Sequence, residues 1–312
     1  MTTTVTHSLP PAGLPIAIVG AGLAGLTCAQ FLAQAGHRVH VFDKSRGPSG
    51  RMSTRRSSDA STEWQCDHGA QYFTARDTHF RAQVADWDHA GVAAAWQGRI
   101  GTHDGQRFVL HDSALQRFVG TPRMTSPAAQ RYQAVLLAVP APQAAPLLEA
   151  VTPEAATLAR SAPMRACWSV MVRCPQPVPL PVDGCFVEHS PLRWIARDSS
   201  KPGRSGPETW LLHASHAWSE AHVHDEAAAV TAALLQAFAQ LGGPDPASVQ
   251  ATAHRWLYAD TAPPLNVDGW WQPETGLGLC GDWLHNGTVE GAWLSGRHLA
   301  QRVHTTLATR TA

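Results

Sequence analysis

Apolar positions along this chain follow two periods, and the change from one to the other outlines the elements. Ile16-Ala17-Ile18-Val19 is a continuous apolar run, the pattern of a strand buried on both faces. Helical spacing follows through Leu26, Ala29, Phe31, Leu32 and Ala33, and Gly36 ends it. A second apolar run, Val39-His40-Val41-Phe42, closes in Asp43, completing a strand–helix–strand unit. Further along, the pattern predicts a helix over 77–90, then short strands with turns at Gly91, Gly98 and Gly105. A strand over 134–139 runs into a helix near 143–160, then a strand through Cys167–Val172. Short runs at Gly184–Val187, Arg193–Arg197 and Thr209–His213, edged by Pro and Gly, read as one antiparallel sheet. A helix over about 217–240 and a strand over Ala253–Ala259 follow. The chain closes with a strand ending in Gly281-Asp282 and a last helix that starts within Gly287–Gly296.

Composition adds bounds. The chain has 312 residues, enough for one large domain or two intimately joined ones. With 44% hydrophobic and 15% charged residues and a formal net charge of zero, nothing points to nucleic acid or a charged membrane surface. No apolar run is long enough to span a bilayer. The stretch Met1–Pro15 reads as a polar, disordered lead-in, not a signal peptide. The six cysteines form no C-x-x-C pair and read as free thiols of a reducing cytosol. Twelve tryptophans suit large flat buried surfaces, whether around a ring-shaped ligand or in plain core.

The candidate chemistry begins at Gly20-Ala21-Gly22-Leu23-Ala24-Gly25, which has the G-x-G-x-x-G spacing of a dinucleotide cradle. Gly20 allows a tight turn, Gly22 lets a pyrophosphate approach the backbone, and Gly25 lets helix and strand pack closely. The helix N-terminus offers amides and a positive dipole end. Asp43 stands about twenty residues on, where the fingerprint places the acid that holds ribose hydroxyls. Lys44 then opens a glycine-rich basic loop, in which Arg51 and Met52 are assigned to the cofactor while Arg55 and Arg56 fit a solvated loop equally well. Asp67–Asp77 is a glycine turn carrying an amide and two aromatics; Gln71 and Tyr72 suit a pocket wall, although Tyr72 and Phe73 equally suit a core. His213 ends a strand and is a further pocket candidate, as are His254 and Trp256, which share one strand face. Arg197, Lys201 and Arg204 form a basic cluster that could meet phosphates or simply be solvated. His213, His216, His222 and His224 are not read as a metal site, because His222 and His224 point to different helix faces and no Cys or carboxylate set completes them.

Several of these stretches resemble one family. The G-x-G-x-x-G unit followed by an acid and R-G-x-x-G-R-M resembles the start of the amine oxidase and renalase superfamily. Asp67–Asp77, Ser190–Arg204, Ala253–Ala259 and Gly281-Asp282-Trp283 with Val289–Gly296 are similar to bacterial renalase-like flavoproteins. The resemblance runs over most of residues 15–306. It departs at Val119–Ser126, where Arg123 stands in place of a glycine, and only the seven residues Pro127–Gln133 precede the next strand. In the family a helix and several strands fill that place, and their loss would open the adenine side of the cradle.

The resemblance implies an α/β protein of the p-hydroxybenzoate hydroxylase/amine-oxidase type. Its FAD-binding, Rossmann-like three-layer ββα domain would comprise 1–75, 117–145 and 262–312. A mixed or antiparallel-sheet substrate domain would comprise 76–116 and 146–261. It further implies FAD held by the cradle, by Arg51 and Met52, by Gly281 and Asp282 at the ribityl chain, and by Val289, Glu290, Gly291 and Ala292 at the flavin. The implied reaction is oxidation of 2- and 6-dihydro isomers of NAD(P) by hydride transfer to flavin N5, with O2 reduced to hydrogen peroxide and no side chain needed as base. Two alternatives stand beside it: a flavin amine oxidase or desaturase, against which Lys44 at the nucleotide end and Lys201 in a Pro/Gly loop weigh, and a truncated FAD-binding protein without redox activity.

Overall fold

The computed structural model describes residues 14–45, 50–56, 64–111, 115–120, 134–204 and 206–311. The lead-in, much of the basic loop and the shortened connection around 125–133 lie outside the described residues. In chain order the elements begin with β1 (Ile16–Val19), α1 (Leu23–Gln34), β2 (Val39–Phe42), β3 (Thr54–Arg56), β4 (Gln65–Asp67) and α2 (Thr78–His89). Short strands follow: β5 (Ala93–Ala95), β6 (Ile100–His103), β7 (Phe108–Leu110), β8 (Phe118–Gly120) and β9 (Ala134–Leu137). Then come α3 (Ala141–Leu148), α4 (Pro153–Arg160), β10 (Met164–Arg173), β11 (Gly184–Val187), β12 (Leu192–Arg197) and β13 (Thr209–Ala214). The remainder is α5 (His216–Ala221), α6 (Ala227–Gln240), β14 (Gln250–Thr261), β15 (Trp270–Gln272), β16 (Leu277–Leu279) and α7 (Val289–Thr311).

The chain divides into two compact units: Met1–Gly50, Arg123–Met164 and Thr261–Ala312 form the first, and Arg51–Pro122 and Arg165–Asp260 the second. The first unit holds a five-stranded sheet in the order β15-β16-β9-β1-β2. Of its four pairings three are parallel, and the edge pair β15 with β16 is antiparallel. The central strands need apolar residues on both faces because both faces are covered. Ile16, Ile18, Ala134 and Leu136 pack with Ala24, Cys28 and Leu32 of α1 and Leu299, Ala300 and Val303 of α7. Leu137 and Leu279 pack on the other face with Ala144, Ala145 and Leu148 of α3 and Ala155, Ala156 and Ala159 of α4.

The second unit is built on a seven-stranded mixed sheet in the order β14-β10-β13-β12-β11-β6-β7. The one antiparallel sheet expected over 184–213 is its centre, with β11, β12 and β13 in register as neighbours. Its core joins Trp210, Leu212 and Val170 to Leu234 and Phe238 of α6.

Two helices expected from the pattern are each broken in two. The helix near 143–160 ends at Leu148, and Pro153 restarts it as α4. A proline fixes its own φ and disfavours helical geometry in the residue before it, here Thr152 at φ −143°. The helix over 217–240 is α5 and α6, separated by a turn in which the His222 ring lies 2.7 Å from Asp225. His222 caps α5, so it and His224 do not share a helix. The hairpin strand β15 was not marked by the apolar pattern.

Candidate functional site

The first unit draws distant glycines around the end of β1. Gly20 has φ +111°, and a Cβ there would stand 2.3 Å from the Ala138 carbonyl oxygen. At Gly25 a Cβ would stand 2.0 Å from the Gly20 oxygen, so both positions exclude a side chain. Gly22 is different. It caps α1 with φ −75°, and an added Cβ would have nothing within 4 Å. Gly22 has no side chain with which to cap α1. The first-turn amides of Leu23 and Ala24 thus sit at an N-terminus with a positive dipole end and open space at Gly22, an arrangement suited to an anion.

Ala21 has another task. Its amide donates to Asp43 Oδ2 at 2.7 Å. The Ser45 amide donates to Oδ1 at 2.8 Å, and the Ser45 hydroxyl donates there too. Burial raises the Asp43 carboxyl, but these donors and neighbouring Lys44 outweigh it and hold it below the usual carboxylate range. Asp43 is therefore a fixed anion at the tip of β2, with exposed Lys44 beside it.

The other end of the chain supplies the turn after β16. The Gly281 amide donates to Ser295 Oγ at 3.1 Å. Asp282 is buried, and its carbonyl accepts from the amides of His285 at 3.1 Å and Gly287 at 2.9 Å. Helix α7 starts at Val289, with Glu290 buried in its first turn, where the dipole favours an acid. Thr288 Oγ1 accepts from the Gly291 amide at 3.0 Å, and a Cβ at Gly291 would strike Asn286 Oδ1 at 1.9 Å. Gly291 thus closes the turn while Ala292 is half-buried behind it. At Gly296 a Cβ would stand 2.2 Å from the Ala24 oxygen, so α7 crosses α1 with backbones touching. That crossing brings the two glycine anchors of the sequence together.

In the second unit, Arg51 and Met52 lie in a 3-10 turn over Gly50–Met52. The Arg51 guanidinium donates to the Ala259 carbonyl at 3.0 Å. The Arg51 carbonyl accepts from the Ala70 amide at 2.7 Å and leaves 1.9 Å for a Cβ at Gly69. This contact is why the Asp67–Gln71 turn needs its glycine.

The five pocket candidates separate into three groups. His213, His254 and Trp256 gather around His68, a residue the sequence reading passed over. The His68 ring stacks on Trp256 with centroids 5.0 Å apart and meets His254 edge-on at 4.8 Å. Trp256 Nε1 donates to the His68 carbonyl at 2.8 Å, and His213 Nε2 lies 3.5 Å from the same oxygen. Burial, then the nearby Arg193, pushes His213 down to about 3. Burial and His254 push His68 down to about 4, and His254 is lowered too, by burial and Arg55. All three are neutral imidazoles at neutral pH.

Tyr72 belongs to an aromatic cluster instead, 5.6 Å from Trp194 and 6.4 Å from Trp96, with Arg117 5.2 Å over its ring. Gln71 is spent on a buried charge network. Its Nε2 donates to the Asp67 carbonyl at 2.7 Å, and its Oε1 accepts from Lys201 Nζ at 3.1 Å. Lys201 also donates to Asp198 at 2.7 Å and Asp67 at 3.1 Å, while Arg204 donates to Asp67 at 2.6 Å.

The basic cluster expected to meet phosphates or solvent does neither. Lys201 and Arg204 face Asp67 and Asp198, and Arg197 pairs with Glu208 at 2.6 Å. The Lys201 side chain is fully buried. Its burial lowers the ammonium, but Asp198 and Asp67 more than reverse that and keep it charged. Burial raises Asp67, yet Lys201, Arg204 and Thr54 carry it down to about 2. Asp198, enclosed beside Asp67, is pushed up by burial against the pull of Lys201. The signal for this network in the sequence is slight: Asp67 ends β4 two residues before Gly69, and Lys201 follows a short 3-10 turn and precedes Pro202.

A model of the family "Flavin containing amine oxidoreductase" matches residues 116–304. The chain belongs to that family. A second model, "NAD(P)-binding Rossmann-like domain", matches residues 18–87. The family's cofactor is a flavin and its chemistry oxidation–reduction. Among curated relatives, an L-amino-acid oxidase of Siganus canaliculatus is 39% identical over 66 residues, 21% of this chain and 12% of that protein. The tRNA 5-methylaminomethyl-2-thiouridine biosynthesis bifunctional protein MnmC of Acinetobacter baylyi is 51% identical over 49 residues, 16% of this chain and 8% of that one. The chain thus spans about a tenth of the length of these curated relatives. Solved structures agree over nearly the whole chain. Cyclohexylamine oxidase from Brevibacterium oxydans has a TM-score of 0.71 at 12% identity, covering 95% of this chain and 100% of that one. A putrescine oxidase bound to putrescine has a TM-score of 0.63 at 12% identity, covering 94% and 99%. The shared property at such identity is the fold: a Rossmann-like α/β domain with a mixed-sheet domain. Among the described residues no helix is long and apolar enough to cross a membrane.

Two outcomes test this geometry. Lys201→Met removes the close cationic partner of buried Asp198 and one of two such partners of Asp67, and is expected to cost roughly 3–5 kcal/mol in urea denaturation. Adding Asp198→Asn returns part of that loss, and simple additivity of the two substitutions would contradict a coupled network. The second outcome concerns pH. His213 has a folded value of about 3 against an ordinary 6.5, so the unfolded chain binds more protons between those limits. Stability therefore falls as pH drops below about 6.5, by roughly 2 kcal/mol from His213 alone at about pH 5. Denaturation midpoints at several pH values should show that slope, and His213→Gln should lessen it, leaving the part due to His68 and His254.

Proposed function

We propose that the chain is an FAD-dependent oxidase that returns 2- and 6-dihydro isomers of NAD(P) to NAD(P)+ and reduces O2 to hydrogen peroxide. Family membership supports the flavin. The renalase-like stretches at Asp67–Asp77, Ala253–Ala259 and Gly281–Gly296 support the substrate. The observation that carries the reading is the cluster of neutral imidazoles around Trp256. Groups held near 3 and 4 are feeble bases at neutral pH, so the cluster offers little proton abstraction, while its half-buried members His254 and Trp256 supply flat faces for stacking. A dihydropyridine needs that combination, because it loses a hydride, needs no base, and leaves as an aromatic ring.

In this reading the amides of Gly22, Leu23, Ala24 and Gly25 receive the pyrophosphate, with Gly20 and Ala21 shaping the turn. Asp43 and Lys44 meet the adenosine ribose end. Arg51 and Met52 are assigned to the cofactor by the resemblance of their loop. Asp282, with Gly281, takes a ribityl hydroxyl, and Val289, Glu290, Gly291 and Ala292 border the flavin pyrimidine. The open space at Gly22 and the uncapped α1 support the phosphate assignment. Held by these residues, FAD would supply the hydride-accepting and O2-reducing chemistry. The protein orients the substrate ring by stacking, and the buried Lys201 network keeps the Asp67–Gln71 turn rigid. Amine oxidation is the second reading, supported by the fold shared with cyclohexylamine oxidase and putrescine oxidase.

The test is anaerobic mixing of the FAD-loaded protein with 2- or 6-dihydroNAD. Rapid bleaching of the flavin absorbance, and its return with hydrogen peroxide when O2 is admitted, is the expected result. Bleaching by amines alone would move the assignment to the second reading, and failure to retain FAD would remove both. Gly22→Ala places a methyl group that meets nothing among the described residues. It should keep stability within about 1 kcal/mol, the scale of an N-cap change, while weakening FAD retention at least about tenfold.

A further inference from the structure

We infer that Asp268, His285 and His298 form a binding site for a divalent transition-metal ion of the zinc type. The three residues come from three segments of the first unit: the loop between β14 and β15, the turn after β16, and α7. Their ligand atoms all lie within 4.8 Å of one another. His285 Nε2 stands 3.6 Å from Asp268 Oδ1, and His298 Nδ1 stands 3.5 Å from the same oxygen. Both distances exceed the roughly 2.7–3.2 Å of an N–H···O hydrogen bond. They match the spacing of about 3.4 Å between neighbouring ligands of a tetrahedral ion bound at about 2.0–2.1 Å. Two of the three separations in the set are thus those of neighbouring ligands on one cation.

The three segments are fastened together by bonds that owe nothing to an ion. The Val267 amide donates to the Leu284 carbonyl at 2.6 Å, and the Leu265 amide to the Trp283 carbonyl at 3.1 Å. The Arg302 guanidinium donates to the Gly269 carbonyl at 3.1 Å, and Arg302 is one turn beyond His298 on α7. The imidazoles are partly covered, at 23% and 30% side-chain exposure, while Asp268 is 69% exposed. An ion can enter from the Asp268 side and keep water in its fourth position. Two imidazoles and one carboxylate suit zinc, copper or nickel, whereas calcium and magnesium require more oxygen ligands. Such an ion would link the loop, the turn and α7 into one clamp. This site is independent of the flavin reading.

The test uses the full chain, stripped with a chelator and dialysed, titrated with Zn2+ alone by calorimetry at about pH 7.5, where imidazoles are unprotonated. The expected result is one saturable site of micromolar or tighter affinity and a rise in thermal midpoint that Ca2+ does not produce. His285→Gln/His298→Gln should abolish it. Asp268→Asn, a change at an exposed position, should weaken it at least about tenfold, the scale of losing a ligand contact. His37→Gln/His304→Gln removes the imidazole pair 3.0 Å apart at another place and should leave binding intact. Absence of saturable binding, or equal binding by the His285/His298 variant, would overturn the inference.

Discussion

The first unit depends on backbone approaching backbone where side chains would not fit. Gly20 faces the Ala138 carbonyl, Gly25 faces Gly20, and Gly296 faces Ala24, with 2.0–2.3 Å for any Cβ. These three approaches fasten β1 to β9, α1 to β1 and α7 to α1. An interior packed this closely transmits any added methyl group into the backbone. Between the crowded Gly20 and Gly25, Gly22 has free space beside it among the described residues. Crowding and opening are two sides of one arrangement: the helix start is held rigid, so its amides point to a fixed place.

The second unit depends on charge instead. Asp67, Asp198, Lys201 and Arg204 are two acids and two bases inside a sheet-based core, and Gln71 completes their hydrogen bonds. Burying one such charge alone is prohibitive, so the group is stable only as a set. The set braces the turn that presents His68, and His68 in turn positions His254 and Trp256. The imidazoles stay neutral because they are enclosed and stand beside cations.

Much of this protein was legible from local rules. The strand–helix–strand unit at 16–43, the sheet strands at 184–213 and the last helix follow from periodicity and glycine placement. Those signals are local and each is repeated several times along its element. The breaks at 149–152 and 222–226 were missed, because an apolar stripe continues across them while a single proline or a single cap decides the backbone. Family resemblance carried the cofactor and the glycine anchors, and it could do so because phosphate contacts are made by backbone whose geometry is set by sequence-local glycines.

The partners of charged and aromatic side chains were decided by tertiary structure. The sequence alone determined that Gly20, Gly22 and Gly25 begin a helix at a phosphate-type turn and that Asp43 ends the next strand. It did not determine that Lys201, in a Pro/Gly loop, would be buried against Asp67, a partner 134 residues away in sequence. Nor did it separate Gln71 and Tyr72, adjacent in sequence, into a charge network and an aromatic cluster. Both lie in irregular chain after β4, where side-chain direction is set by contacts that chain from elsewhere supplies. Long-range pairing, which no local pattern encodes, chose which of the candidate residues stand together.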